Sequence, residues 1–181
     1  TNIFKQNKIK IMNIKFNLTA LLFLVIEFTA FSQPVQKKKA ETATIQWRYE
    51  LECVGIGVQS SYLVKVWSYS KNAKVAIEQA KKNAVHGIVF KGFAGSGQKC
   101  PSQKALAPQV GVEEQKKEYF DKFFKDGGDY MKYVSVSGDA IPDVVKVGKE
   151  YKIGILVSVL KDPLRKDLEV AGVIKGLSSG F

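Results

Sequence analysis

The chain has 181 residues, a formal net charge of +11 and 45% hydrophobic residues, enough for one domain with a real core. Its two cysteines and single histidine fall short of a structural zinc set and show no C-x-x-C spacing, which excludes the metal-stapled classes. The positive charge suits an anionic partner such as a glycan, a lipid head group or nucleic acid, but the lysines are scattered through every segment, as on an ordinary solvated surface.

Residues 1–32 read as material outside the fold. Thr1 to Ile11 precede Met12, which reads as the initiator. Met12, Lys15 and the apolar run Leu18 to Phe31 then have the form of a secretory signal ending at Ala30-Phe31-Ser32. The run is short for a membrane span. Glu27 within it keeps open an uncleaved anchor, the one route by which this chain would touch a membrane. No cysteine follows the run to accept a lipid. Removing these residues takes away four lysines and one glutamate, so the exported chain keeps about +8 (11 minus 3). Export delivers the protein to the periplasm or the extracellular space, where Cys53 and Cys100 are a candidate disulfide. Closing that loop contributes roughly 4 kcal/mol in the chain-entropy model; alternatively, Cys53 is a small buried hydrophobe.

Residues 33–44, with Pro34 and the one tight lysine run Lys37-Lys38-Lys39, form a flexible linker, and 45–181 form a single domain. Ile45, Trp47, Tyr49, Leu51 and Cys53 alternate with polar residues, predicting a strand with one face buried. The parity flips at Val54, and Gly55 and Gly57 predict a bulge or a close helix crossing there. Tyr62 to Tyr69 is a second strand. The stretch Ser70 to Phe90 follows as an alanine-lined helix capped by Ser70 or Asn72. It carries Ala73, Ala76, Ile77, Ala80, Ala84, Gly87 and Ile88 on its buried face and Lys74, Glu78, Lys81, Lys82 and Asn83 on the wet one, and ends at Gly92.

Lys91 to Gly111 is irregular, and loops of this length often carry function. Phe93, Lys99, Gln103 and Lys104 are its candidate binding residues; the plainer expectation is a solvated connector pinned at Cys100. A helix is predicted from Val112 to Lys125, with Val112, Tyr119, Phe120, Phe123 and Phe124 on one face. Tyr130 to Ser137 is predicted as a strand. Val144 to Val147, a Gly148-Lys149 turn and Tyr151 to Val159 form a hairpin. Asp162-Pro163 opens a last helix with the stripe Leu164, Leu168, Ala171, Ile174 and Leu177.

Motifs that would carry a reaction are missing from the chain beyond residue 32. His86 would have to serve as the base of any Ser-His-Asp arrangement, yet no G-x-S-x-G elbow exists, and a helix-end histidine, exposed or half buried, is the plainer expectation. Nothing in the sequence marks Cys100 as a stabilised thiolate. The segment Gly92 to Lys99 has Gln98 where a phosphate loop needs lysine, and Gly55-Ile56-Gly57 lacks the third glycine of a dinucleotide fingerprint. Glu50 with Glu52 and Glu113 with Glu114 are paired carboxylates on what read as solvated faces. Trp47, Tyr49, Trp67, Tyr69, Tyr130 and Tyr133 could stack sugars or bases, but their alternation favours sheet packing. No catalytic, cofactor or metal-ligating residue is assigned.

Val54-Gly55-Ile56-Gly57, the ridge Ala73, Ala76, Ala80, Ala84 and Gly87, and Val145-Lys146-Val147-Gly148-Lys149-Glu150-Tyr151-Lys152-Ile153 together resemble the N-terminal domain of flagellar-assembly T-type proteins and related small envelope lipoproteins. The resemblance implies a non-catalytic structural module that docks onto a larger envelope assembly. This chain differs in its 91–111 insertion and in lacking a lipid-attachment cysteine. The expected fold is a two-layer α+β sandwich, a mostly antiparallel sheet of four or five strands with helices on one face, ordered β-β-α-α-β-β-α. The expected function is a non-enzymatic envelope protein with a protein partner and no specific nucleic acid. The alternative is a secreted binder of anionic polymers.

Overall fold

The structure, a computed structural model, describes residues 47–57, 61–137 and 141–176, all within the unit spanning 43–181. The expected export signal, the linker, the start of the first strand at Ile45 and the final Leu177 of the last stripe lie outside these residues. None of the described helices is long and apolar enough to cross a membrane.

Strand β1 (Tyr49–Ile56) pairs antiparallel with β2 (Ser61–Ser70), and β2 pairs with the long β5 (Glu150–Leu160). The far side of β5 is shared by two short strands in tandem, β3 (Val134–Val136) and β4 (Asp143–Val147). The whole is a five-stranded antiparallel sheet with helices packed on one face, an α+β architecture. Period-two alternation puts Tyr49, Leu51 and Cys53 inward and Glu50 and Glu52 outward, and the register slips between Cys53 and Gly55.

Helix α1 (Ala73–His86) is capped by Asn72, whose side chain accepts from the Lys74 N–H at 3.0 Å. Ala76, Ala80 and Ala84 are fully buried, because methyl-sized side chains let the helix axis approach the sheet. The closest approach is at Gly87 rather than at the strand glycines: a Cβ there would meet Leu51 Cδ1 at 2.0 Å, whereas Gly55 faces the Lys99 carbonyl. The expected wet position of Asn83 is corrected. It is buried, donating to Ser68 Oγ at 2.7 Å and accepting from Gln79 at 3.1 Å, so two buried polar groups satisfy each other.

From Gly87 to Lys91 the helix widens to a π turn closed by Gly92 N–H to Gly87 O at 2.7 Å. The carbonyls of Ile88 and Val89 accept instead from Leu106 and Ala107, at 3.1 and 2.8 Å. That exchange draws the loop back over the helix end, so every residue from Asn83 to Val89 is buried.

The predicted helix over 112–125 divides into α2 (Val112–Gln115) and α3 (Lys117–Phe123), with Lys116 off helical geometry at φ −109°, ψ 27°. Its Val112, Phe120, Phe123 and Phe124 are buried nonetheless. The strand expected from Tyr130 to Ser137 is corrected as well: Asp129–Tyr133 is a 3-10 turn, and only Val134–Val136 is extended. Tyr130 and Tyr133 are both buried, which three-residue periodicity achieves and strand alternation does not. The last helix, α4 (Lys161–Val170), buries Leu164 and Leu168 and stops at Gly172 (φ 64°). Val173 and Ile174 return to the core after the stop, while Ala171, expected in the stripe, is exposed.

Candidate functional site

Three places concentrate chemistry-bearing side chains: the buried end of α1, the loop that follows it, and the sheet face turned away from the helices.

At the end of α1, His86 is only 3% exposed. This corrects the expectation of an exposed or half-buried histidine. The Trp47 ring stacks on it at 3.8 Å between centroids, with Phe90 and Phe124 at 4.7 and 5.8 Å. Nδ1 lies 2.6 Å from the Tyr49 hydroxyl and Nε2 lies 3.2 Å from a Glu113 carboxylate oxygen. A neutral imidazole satisfies both contacts with one tautomer: Tyr49 O–H donates to Nδ1, and Nε2–H donates to Glu113. Trp47 also donates to Glu113 from its ring N–H. Burial, reinforced by the Lys91 ammonium, holds His86 down to about 3, so the contact with Glu113 is a hydrogen bond to neutral histidine and not an ion pair. Burial raises the Glu113 carboxyl, and burial with the Glu113 charge drives the Tyr49 phenol well above its ordinary value.

This Tyr49-His86-Glu113 array resembles a nucleophile-base-orienter relay only in connectivity. The hydroxyl on the histidine is a phenol whose ionisation is suppressed, and a base held near 3 has little proton affinity at neutral pH. Its neighbours on His86 are aromatic rings, with no serine or cysteine among its hydrogen-bond and ring contacts. The arrangement does mechanical work, tying β1 through Tyr49 and α2 through Glu113 to the end of α1.

The loop is held at several points along its length. Phe93 pairs with Gln103 in an isolated antiparallel bridge, with N–H···O distances of 2.9 and 3.0 Å. Tyr62 donates its hydroxyl to the Gln103 side chain, and the Tyr62 and Phe93 rings meet edge to face at 5.2 Å. Cys53 and Cys100 are joined in a disulfide with Cα atoms 6.0 Å apart, and Ser96 Oγ donates to the Cys53 carbonyl at 3.5 Å. Of the four residues singled out in this loop, Phe93 and Gln103 are therefore occupied in holding it, while Lys99 and Lys104 are exposed. The structure does not gather the four into one cleft.

On the outer sheet face, Trp67 and Tyr69 of β2 lie beside Glu50 and Glu52 of β1 and Lys152 of β5. Trp67 Nε1 donates to Glu52 at 2.9 Å and the Tyr69 hydroxyl to Glu50 at 2.8 Å. Cations cover the rings: Lys65 and Lys152 sit 4.7 and 5.0 Å from the Trp67 ring centre, and Arg48 sits 4.5 Å from that of Tyr69. The same cations are paired, Arg48 with Glu150, Lys65 with Asp143 and Lys152 with Glu50. Hydrogen bonds from Lys152 and then Tyr69 hold the Glu50 carboxyl below its ordinary value. Glu50 and Glu52 are thus both engaged by donors, which is not the split pair that acid-base catalysis needs. Gly154 completes the arrangement, since a Cβ there would lie 2.7 Å from the Trp67 ring. Around the network, Val54, Ile56, Val145 and Val147 are about half exposed (48, 56, 50 and 50%).

Sequence reasoning missed both the relay and this network. The usable signals were the unbroken apolar run around His86, which no wet helix face would carry, and the alternation of Trp67 and Tyr69 opposite the buried row. Among the described residues no cluster of histidine, cysteine and acids is arranged to hold a metal. Comparison with protein-family models, with curated proteins and with solved structures finds no match.

Proposed function

We propose that this chain is a non-catalytic, exported module of the cell envelope that docks a protein partner through the outer face of its sheet. One observation carries the reading: among the described residues no helix or loop is packed on this face, and its large side chains are already locked to one another. Side chains fixed before binding lose little entropy on association, and tryptophan, tyrosine and arginine are the residues on which interfaces concentrate energy. The half-exposed valines and Ile56 around them provide apolar surface. The signal-like segment ahead of the domain and the Cys53–Cys100 disulfide support an oxidising destination. The likeness to flagellar-assembly T-type domains supports docking onto a larger assembly.

The experiment is retention of partners from envelope extracts by the wild-type protein and by Val54→Glu/Ile56→Glu. Both substitutions fall on exposed outer-face positions, and the melting temperature should not move. A discrete partner retained by the wild type and lost by the variant is expected. A wild-type protein that stays monomeric and retains nothing, or a variant that retains the same partner, overturns the reading.

A second reading, binding of anionic polymer, draws on Lys99 and Lys104, which are exposed and carry no acidic partner among the described residues. The outer face itself does not favour it, because its cations are matched by acids. Polymer binding would weaken steeply with added salt. Absence of binding to glycan, anionic vesicles and nucleic acid at low salt removes it.

A further inference from the structure

A sheet that does not close has two lateral edges, and here they are treated differently. Along β1 the register is broken by the bulge between Cys53 and Gly55, and the 96–100 segment is tied against the strand by the disulfide and the Ser96 hydrogen bond. Bulges and covering loops are how edges are kept from pairing with another chain. Among the described residues, the opposite edge at β4 has no such cover. Its pairing with β5 runs unbroken from Asp143 opposite Gly154 to Val147 opposite Glu150. Among the described residues no other strand or loop forms a backbone hydrogen bond to it. All five of its residues are exposed.

Charge narrows the occupant. Asp143, the one acid of β4, is taken up by Lys65 of β2. Lys146 in the middle of the strand and Lys149 in the following turn have no acidic partner among the described residues. The edge is therefore net positive, with Val145 and Val147 on the outer face and Lys146 between them on the other. A second copy pairing here would bring two such basic edges together, which like-charge repulsion disfavours.

We propose that β4 is a strand-addition site for an extended segment of another protein in which an acidic residue is flanked by apolar ones. The incoming backbone would hydrogen-bond to the unpaired side of β4, its apolar residues lying beside Val145 and Val147 and its carboxylate beside Lys146. The inference rests on the reading of the protein as a partner-binding module and fails separately from it, since the edge and the outer face respond to different substitutions.

The test is titration of the isotope-labelled full chain with two synthetic peptides of about ten residues, the length of a long strand. One alternates valine with glutamate and the other valine with lysine, and shifts and exchange rates of the 143–149 amides are followed. The glutamate peptide should shift and protect the β4 amides and the lysine peptide should not. Lys146→Glu, at an exposed position, should weaken the glutamate peptide by about tenfold or more and reverse the preference. Equal response to both peptides, no response at β4, or β4 shifts that grow with protein concentration alone overturn the proposal. In the last case a second copy is the occupant; in the second, Lys146 is only a guard against pairing. Val54→Glu/Ile56→Glu should leave peptide binding unchanged, so loss of the envelope partner with β4 binding retained, or the reverse, shows which of the two readings has failed.

Discussion

Acid should weaken this fold at His86, a buried imidazole held far below its ordinary value. Folded, its imidazole is held down to about 3 by burial and by Lys91; unfolded, it titrates at its ordinary value, about 6.5. Between those values the unfolded chain binds the proton that the folded chain refuses, so stability rises with pH across that window. It is fully present above about pH 6.5 and is lost as pH falls toward 3. The slope limit is about 1.4 kcal/mol per pH unit, which gives a loss of about 2.5 kcal/mol between about pH 7.5 and about pH 4.5. Glu113 acts in the opposite sense. Its raised carboxyl keeps a proton in the folded state above the ordinary carboxylate range, a contribution present at low pH and lost as pH rises through the folded value. The assay is urea unfolding followed by tryptophan fluorescence, which Trp47 reports because it stacks on His86. Wild type and His86→Phe are compared across that pH range, with Glu113→Gln to remove the opposing contribution. The substitution leaves Tyr49 and Glu113 without their partner and lowers stability at every pH, so the diagnostic is the slope. The wild-type curve should fall more steeply than that of His86→Phe by about 2.5 kcal/mol over the interval. Parallel curves would refute a buried neutral histidine.

Four further outcomes are expected. Ala80→Glu, at a position with no exposure, buries an unpaired carboxylate against the sheet and should cost several kcal/mol, enough to unfold a domain of ordinary stability; an unchanged melting temperature would contradict the assigned face. Gly154→Ala drives a methyl into the Trp67 ring at 2.7 Å and should cost about 1–3 kcal/mol, with red-shifted tryptophan emission. Reduction of the disulfide, or Cys53→Ser/Cys100→Ser, should lower stability by about 2–4 kcal/mol and speed amide exchange over residues 93–103. Asn83→Leu strands the Ser68 hydroxyl that it now satisfies at 2.7 Å and should cost about 1–3 kcal/mol by denaturant melts.

Much of the fold was legible in the chain because its patterns are short-range. The alternation of Tyr49, Leu51 and Cys53 with Glu50 and Glu52 states the orientation of β1, and the alanines of α1 state which side meets the sheet. The errors have local causes. Asn83 reads as wet from its polar side chain, yet helical spacing from Ala76 and Ala80 puts it on the side that meets the sheet, where Ser68 of β2 accepts its amide. Tyr130 and Tyr133 are strand formers by type, yet their spacing of three fits the 3-10 turn that buries both. The relay was hidden for a different reason: Tyr49, His86 and Glu113 are 37 and 27 residues apart, and no local period links residues brought together by a returning loop. The outer-face network has the same character, since Lys152 reaches Glu50 across 102 residues.

The sharpest test of the proposed docking face places a photo-crosslinking residue, in the full chain in living cells, at Ile56 or Val145 on the outer face, or at Lys74 or Glu118 on the exposed helical side. A single discrete adduct from Ile56 and Val145, absent from Lys74 and Glu118, is the predicted result. Adducts from the helical positions alone, or none from any of the four, would contradict docking through the sheet.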